Sequence, residues 1–189
     1  MGRRNYLVEG VSGTGKTSVC AELQRRGHHA VHGDRELAYQ GQPAPGAAVD
    51  GHRHEHHMWH VQKVAALVAN DDAEETFFCG GSRNFPQFIE LFDAVFVLTV
   101  DRDTLIRRLD ERNSDDSEWH PAQGERELIE RLHATGEGTP PGIAIDATAP
   151  IARVVDAILE AIALRQLGDD PPDSTCTSGP SLAPITHEK

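Results

Sequence analysis

Gly10-Val11-Ser12-Gly13-Thr14-Gly15-Lys16-Thr17 is the densest concentration of chemistry in the chain. The spacing is G-x-x-x-x-G-K-[ST] in full, the pattern of a backbone loop that wraps a polyphosphate. Its glycines let successive N–H groups turn inward towards phosphate oxygens, and a helix starting at the lysine aims its positive end at the same anion. Lys16 is then placed to bridge the β- and γ-phosphates of ATP, and the Thr17 hydroxyl to ligate Mg²⁺. Gly10, Ser12, Gly13, Thr14, Gly15 and Ser18 complete the expected phosphate contacts. Lysine occurs only at positions 16, 63 and 189, so its presence where the motif requires it carries weight.

Other residues could serve a reaction at that phosphate. Asp34 and Glu36 flank Arg35 just after a strand-like stretch. A carboxylate there would take a proton from an acceptor hydroxyl or hold Mg²⁺ through water, the alternative being a solvated turn. Asp34, which directly follows Gly33, is expected to matter more than Glu36, which can belong to the next helix. Arg83 follows Gly80-Gly81, and its planar guanidinium suits bidentate contact with phosphate or carboxylate. Arg108 and Arg112 stand four apart on one helix face, either an ordinary charged face or a pair brought over transferring phosphate oxygens. The run His52-Arg53-His54-Glu55-His56-His57-Met58-Trp59-His60 offers histidines one helical turn apart. It supplies too few converging ligands for a zinc site and reads instead as the lining of an acceptor pocket or as plain surface.

These residues need elements to hold them. Asn5–Glu9 reads as a strand entering the glycine loop, and a helix runs from about Lys16 to Arg26 and stops at Gly27. His29–His32, Thr76–Cys79, Ala94–Val100 and Ile143–Asp146 read as further strands, the third of these a nearly continuous apolar run of the kind buried inside parallel sheets. Helices are expected over His54–Asn70 and Asp103–Arg112, and from Pro150 to about Leu167; Gln40–Asp50 reads as a loop. Asp101 and Asp103 are placed to cap the helix that follows them. Strands alternating with helices argue for a parallel sheet covered on both faces. Residues 1–167 would form one domain, and the proline-rich, aperiodic residues 168–189 a disordered tail.

Several of these segments resemble nucleotide kinases. Cys79-Gly80-Gly81-Ser82-Arg83-Asn84-Phe85-Pro86-Gln87 resembles the D-G-F-P-R-T-x-P-Q segment of adenylate kinases, with Gly80, Arg83, Pro86 and Gln87 in register. Arg108-Leu109-Asp110-Glu111-Arg112 resembles the R-x-x-x-R at the start of their lid. Asp146-Ala147-Thr148-Ala149-Pro150-Ile151 resembles their D-G-T-x-P-[VI] loop, which implies Thr148 and Pro150 beside adenine. Gly33-Asp34 falls where that family has Gly-Asp, and the carboxylate after the second strand with Gly-Gly after the third is also similar to shikimate kinase. The resemblance runs collinearly over roughly residues 5–165. It implies a P-loop kinase of the nucleoside-monophosphate-kinase-like branch: an α/β/α P-loop NTPase fold with a five-stranded parallel sheet in order 2-3-1-4-5 and a short lid. Two departures modify it. Cys79 stands where adenylate kinases carry a carboxylate for Mg²⁺-bound water, which throws weight onto Asp34. Leu37 stands where an arginine would hold the phosphate of AMP, so AMP is expected to be a poor acceptor.

Composition narrows the partners. The 18 lysines and arginines against 30 aspartates and glutamates give a net charge of −12 and a pI near 5.3. Such a balance argues against a nucleic-acid-wrapping or anionic-membrane surface, while leaving room for a local basic site. Cys20, Cys79 and Cys176 form neither a metal spacing nor an even disulfide framework, which suits a reducing cytoplasm. The expectation is an ATP- and Mg²⁺-dependent kinase acting on a small hydroxylated or phosphorylated metabolite. The rival expectation is a P-loop switch that hydrolyses ATP slowly and signals through a protein partner.

Overall fold

The computed structural model describes residues 4–41, 56–70, 72–114 and 123–169. Outside that description fall His52, His54, the side chain of Arg112 and all of the expected tail beyond Asp169. In chain order the elements are β1 (Arg4–Glu9), α1 (Lys16–Arg25), β2 (His29–His32), α2 (Gly33–Glu36), β3 (Ala38–Gln40), β4 (His57–Trp59) and α3 (Val61–Val68). There follow β5 (Glu75–Cys79), β6 (Ala94–Thr99), α4 (Arg102–Ser114), α5 (Gln123–Thr135), β7 (Ile143–Asp146) and α6 (Ile151–Asp169).

Five of the strands make one parallel sheet in the order β2-β5-β1-β6-β7, while β3 and β4 pair separately and antiparallel. Counted among themselves, the strands of the main sheet run 2-3-1-4-5, the order that the resemblance to nucleotide kinases implies. Strand side chains alternate between faces, and that alternation divides the core in two. Val8, Phe77 and Phe96 pack with Val19, Leu23 and Val155, whereas their neighbours Leu7 and Phe78 pack with Val31, Leu37, Trp59 and Phe88. With both faces covered there is no solvent side, which explains why these strands read as apolar runs rather than as alternating ones.

Local chemistry ends the helices where the sequence suggested. Gly27 takes φ 88° beyond α1, and the His28 N–H returns to the Leu23 carbonyl at 3.0 Å. Asp101 caps α4 by accepting the Thr104 N–H at 2.8 Å. No helix among the described residues is long and apolar enough to cross a membrane.

One expectation is corrected. The helix expected over His54–Asn70 is only α3, and His57–Trp59 is instead a strand paired with Ala38–Gln40. Gln40, read as the start of a loop, therefore ends β3. His56 and His60 consequently do not stand one helical turn apart. The reason is tertiary: Trp59 gives its N–H to the Asn84 amide oxygen at 2.9 Å, takes back the Asn84 amide donor at 2.9 Å, and is wholly buried. α5 has no counterpart in the sequence reading. Its sparse apolar residues, Ile129 and Leu132, sit among charges, and His133 bonds the Val100 carbonyl at 2.8 Å to hold it against the end of β6.

Candidate active site

Loop 10–15 carries the chain from β1 into α1 around a tight curl. Gly13 and Gly15 take φ 94° and 105°, a region that side chains strain, and a Cβ at Gly13 would lie 2.7 Å from Leu105. The Thr14 hydroxyl closes the curl by donating to the Val11 carbonyl at 2.8 Å. Gly15 is the N-cap of α1 and brings no side chain to its first amides, and the first turn holds no acidic residue. Thr17 and Ser18 sit exposed in that turn, and Ser12 is half-buried in the loop. The Lys16 ammonium lies folded onto the loop, donating to the Gly10 and Val11 carbonyls at 2.6 and 3.2 Å. The start of α1 and one cation are thus brought together at the loop, an arrangement that favours an anion.

On one side of this loop lies a cleft of about 360 Å³ lined by Gly13, Thr14, Ser18, Arg108, Glu111 and Ala149, among others. Arg108 is its organiser. The guanidinium reaches from α4 to the Thr14 carbonyl at 3.1 Å and the Ala147 carbonyl at 2.8 Å, joining loop, helix and the turn after β7. The Asp146 carboxylate holds that turn by accepting the Thr148 N–H at 2.9 Å and the Thr148 hydroxyl at 2.7 Å. Ala147 and Ala149 face the cleft, whereas Thr148 and Pro150 are exposed beside it. The backbone of Arg112 lies one turn further along α4.

On the other side the ends of β2 and β5 bring Asp34 beside Gly81. Asp34 Oδ1 accepts the Gly81 N–H at 3.0 Å and a hydrogen bond from His57 Nε2 at 3.1 Å. Partial burial would raise this carboxyl, but the His57 bond and the charge of Lys16 outweigh it and hold it below the ordinary aspartate value. Glu36 does something else: it accepts the His32 N–H at 2.7 Å and so caps its own short helix. Arg83 gives its backbone N–H to the His57 carbonyl at 2.9 Å, and its guanidinium crosses to Gly138 in the loop after α5. The hairpin β3–β4, absent from the sequence reading, is what ties Asp34 and Arg83 together through His57. This corner is close-packed, because the Trp59 ring lies against Gly33 and Gly80 where side chains would otherwise stand.

Glu9 is the site residue that sequence reasoning missed. It ends β1 immediately before Gly10, is 6% exposed, and its Oε2 has no hydrogen-bond partner among the described residues. Burial pushes its carboxyl up to about 7 against the opposing pull of Lys16 and Arg83. The available signal was a charge terminating an otherwise apolar strand. Cys79, in the place of the expected metal-side carboxylate, is buried with its thiol towards Cys20; that contact and burial push it up.

A parallel sheet in this order with a glycine phosphate loop leaving its central strand defines a P-loop nucleotide-binding α/β fold. The chain belongs to the AAA domain family, whose model matches residues 7–133. Its fold is shared with a gluconokinase from Sinorhizobium meliloti 1021, at 18% identity and a TM-score of 0.50 over 89% of this chain and 98% of that one. A sugar kinase from Janibacter sp. HTCC2649 is also similar, at 18% identity and a TM-score of 0.48 over 85% of this chain and 95% of that one. Shikimate kinase from Aquifex aeolicus VF5 aligns at 15% identity and a TM-score of 0.49 over 87% and 99%. No curated protein matches the sequence.

Proposed function

We propose that this protein is a cytoplasmic ATP-dependent phosphotransferase that moves the γ-phosphate of ATP to a small hydroxylated or phosphorylated metabolite, with residues 1–167 as the catalytic unit. The observation that carries the reading is two-sidedness: the phosphate loop borders a cleft on one side, and on the other the charge of Lys16 reaches Asp34, which His57 and the Gly81 N–H fix in place. A protein that only hydrolyses nucleotide and reports to a partner has no use for a carboxylate so fixed on the side away from the cleft. In this reading the triphosphate lies on Gly10, Ser12, Gly13, Thr14, Gly15, Lys16, Thr17 and Ser18. The base enters the cleft beside Arg108, with Thr148 and Pro150 at its mouth. Arg83 binds the anionic part of the acceptor or the moving phosphoryl oxygens, and Arg112 extends the arginine face of α4.

The oxygen donors present suit Mg²⁺, a hard ion that prefers carboxylate and hydroxyl ligands. The Thr17 hydroxyl would hold it, with Asp34 acting through water, and it would supply charge neutralisation at the β- and γ-phosphates. The protein's own work is positioning and electrostatic: amides and cations arranged before the reaction begins, with little covalent chemistry asked of side chains.

The test is ADP formation from Mg-ATP with D-gluconate, shikimate, 2′-deoxyadenosine and AMP, representing a sugar acid, a cyclic polyol, a nucleoside and a nucleotide. A kinase shows turnover stimulated by one class well above the rate with water. Turnover indifferent to all of them but accelerated by a protein partner would establish the switch instead.

A further inference from the structure

Glu9 has no structural reason to be an acid. Tyr6, Leu7 and Val8 of the same strand are all buried and apolar, and an unpartnered carboxylate oxygen in that setting weakens the fold. Side chains alternate along β1, so Glu9 follows Leu7 onto the face of Trp59 and Val31 rather than Val8 onto the face of α1. On that face Trp59 lies against Gly80, where a Cβ would stand 2.6 Å from Asp34 Oδ1. Gly81 marks the meeting point. A Cβ on Gly81 would lie 3.1 Å from Glu9 Oε1 and 3.8 Å from Lys16 Cε, while the Gly81 N–H is the donor that Asp34 holds at 3.0 Å. Any side chain there would fill the gap between the carboxyl and the lysine, and glycine leaves it open.

The two carboxylates are not equivalent. Asp34 Oδ1 is engaged by two donors, Gly81 N–H and His57 Nε2, so it is built to stay charged and fixed. Glu9 Oε2 faces no donor among the described residues and is the atom with capacity to spare. We infer that Glu9, not Asp34, receives the proton of the acceptor hydroxyl during phosphoryl transfer, with Asp34 as a positioning residue; this deepens and rests on the kinase reading above. The acceptor oxygen forms a bond to the γ-phosphorus, and the bond from that phosphorus to the β,γ-bridging oxygen breaks. Its electron pair leaves with ADP. The hydroxyl proton passes to the Glu9 carboxylate and is released to water as the products leave. Burial supports this assignment, since it raises the carboxyl to about 7, where a proton is both taken and returned near neutrality.

The experiment compares full-length wild type, Glu9→Gln and Asp34→Asn with the same four acceptors. It follows ADP formation at saturating Mg-ATP, affinity for a non-hydrolysable ATP analogue, and the thermal midpoint. Glu9→Gln is expected to lower acceptor-dependent kcat by about 10²–10⁴-fold, the usual effect of removing a general base. Analogue affinity should stay close to wild type, and the midpoint should be equal or higher because a buried acid has gone. Asp34→Asn should retain more kcat than Glu9→Gln and show its loss mainly in acceptor KM. Glu9→Gln turning over at the wild-type rate overturns the inference alone. So does a Glu9→Gln chain that fails to fold, since the carboxylate would then be structural. Wild type that no acceptor stimulates overturns the kinase reading and this inference with it.

Discussion

A single buried acid sets a pH dependence that can be worked out in sign. The Glu9 carboxyl lies near the ordinary 4.5 in the unfolded chain and is raised to about 7 in the fold. The native state therefore binds the extra proton between those values, and stability falls as pH rises through that window. The full difference is on the order of 3 kcal/mol, from about 1.4 kcal/mol per pKa unit. Denaturant unfolding of wild type against Glu9→Gln from pH 4.5 to 8 should show the gap widening in favour of the variant; parallel curves would mean that Glu9 does not titrate there. Leu37 supports a second expectation. Its side chain is 1% exposed and belongs to the core with Trp59 and Val31, so it offers no charge where similar kinases hold the AMP phosphate. A lost charge-assisted hydrogen bond costs about 1.5–3 kcal/mol, which is roughly 10- to 150-fold in affinity. Steady-state kinetics should show AMP far weaker than the best acceptor, and efficient ADP formation from AMP would reverse this reading.

The β3–β4 hairpin shows which parts of the architecture a sequence reveals. The phosphate loop, the five strands of the main sheet and the cap at Asp101 are local patterns, each readable within a short window. The hairpin is not local: Ala38 pairs with Trp59, and Trp59 is in turn held by Asn84. Met58, Val61, Ala65 and Val68 do recur at helical spacing, and contacts distant in sequence override that pattern at residues 57–59. Glu9 escaped notice for a related reason, since its importance lies in burial, which composition does not display. Asp34 and Arg83 could be picked out as candidates beside their glycines, but the His57 bridge between them could not. The hairpin therefore carries its own prediction. The Trp59 ring lies on Gly33 and Gly80 and stacks on Phe88 with centroids 5.6 Å apart. Trp59→Ala should cost about 3–5 kcal/mol, the usual range for a large buried aromatic. It should also weaken the acceptor side more than nucleotide binding, because the packing beneath Asp34 is lost while the phosphate loop stands on β1 and α1. Chemical denaturation, together with analogue affinity and acceptor KM, separates these effects, and equal losses on both sides would contradict the division.

At the scale of the molecule, several of the candidate residues stand where strands of one sheet end: Glu9 at the end of β1 with Gly10 after it, Asp34 after β2, Gly80 and Gly81 after β5, and Ala147 after β7. The crevice opens where the chain order reverses around β1, whose neighbours are β5 and β6. A ligand there touches much of the fold and should stabilise all of it. Binding to the native state alone contributes about 2.7 kcal/mol at a hundredfold excess over Kd. For a chain of this size that is a rise of roughly 5–10 °C in the midpoint. Two substitutions should divide that rise differently. Among the described residues Lys16 gives its donors to the loop carbonyls of Gly10 and Val11, so Lys16→Ala should leave the ligand-free midpoint near wild type and abolish the shift with Mg-ATP. Arg108 ties α4 to Thr14 and Ala147 and also borders the cleft. Arg108→Ala should therefore lower the ligand-free midpoint and shrink the shift together. Thermal unfolding of the three proteins with and without Mg-ATP makes the comparison. A full nucleotide shift in Lys16→Ala would remove the lysine from the phosphate site, and an unchanged ligand-free midpoint in Arg108→Ala would show that the joint between α4, the loop and the β7 turn holds without its arginine.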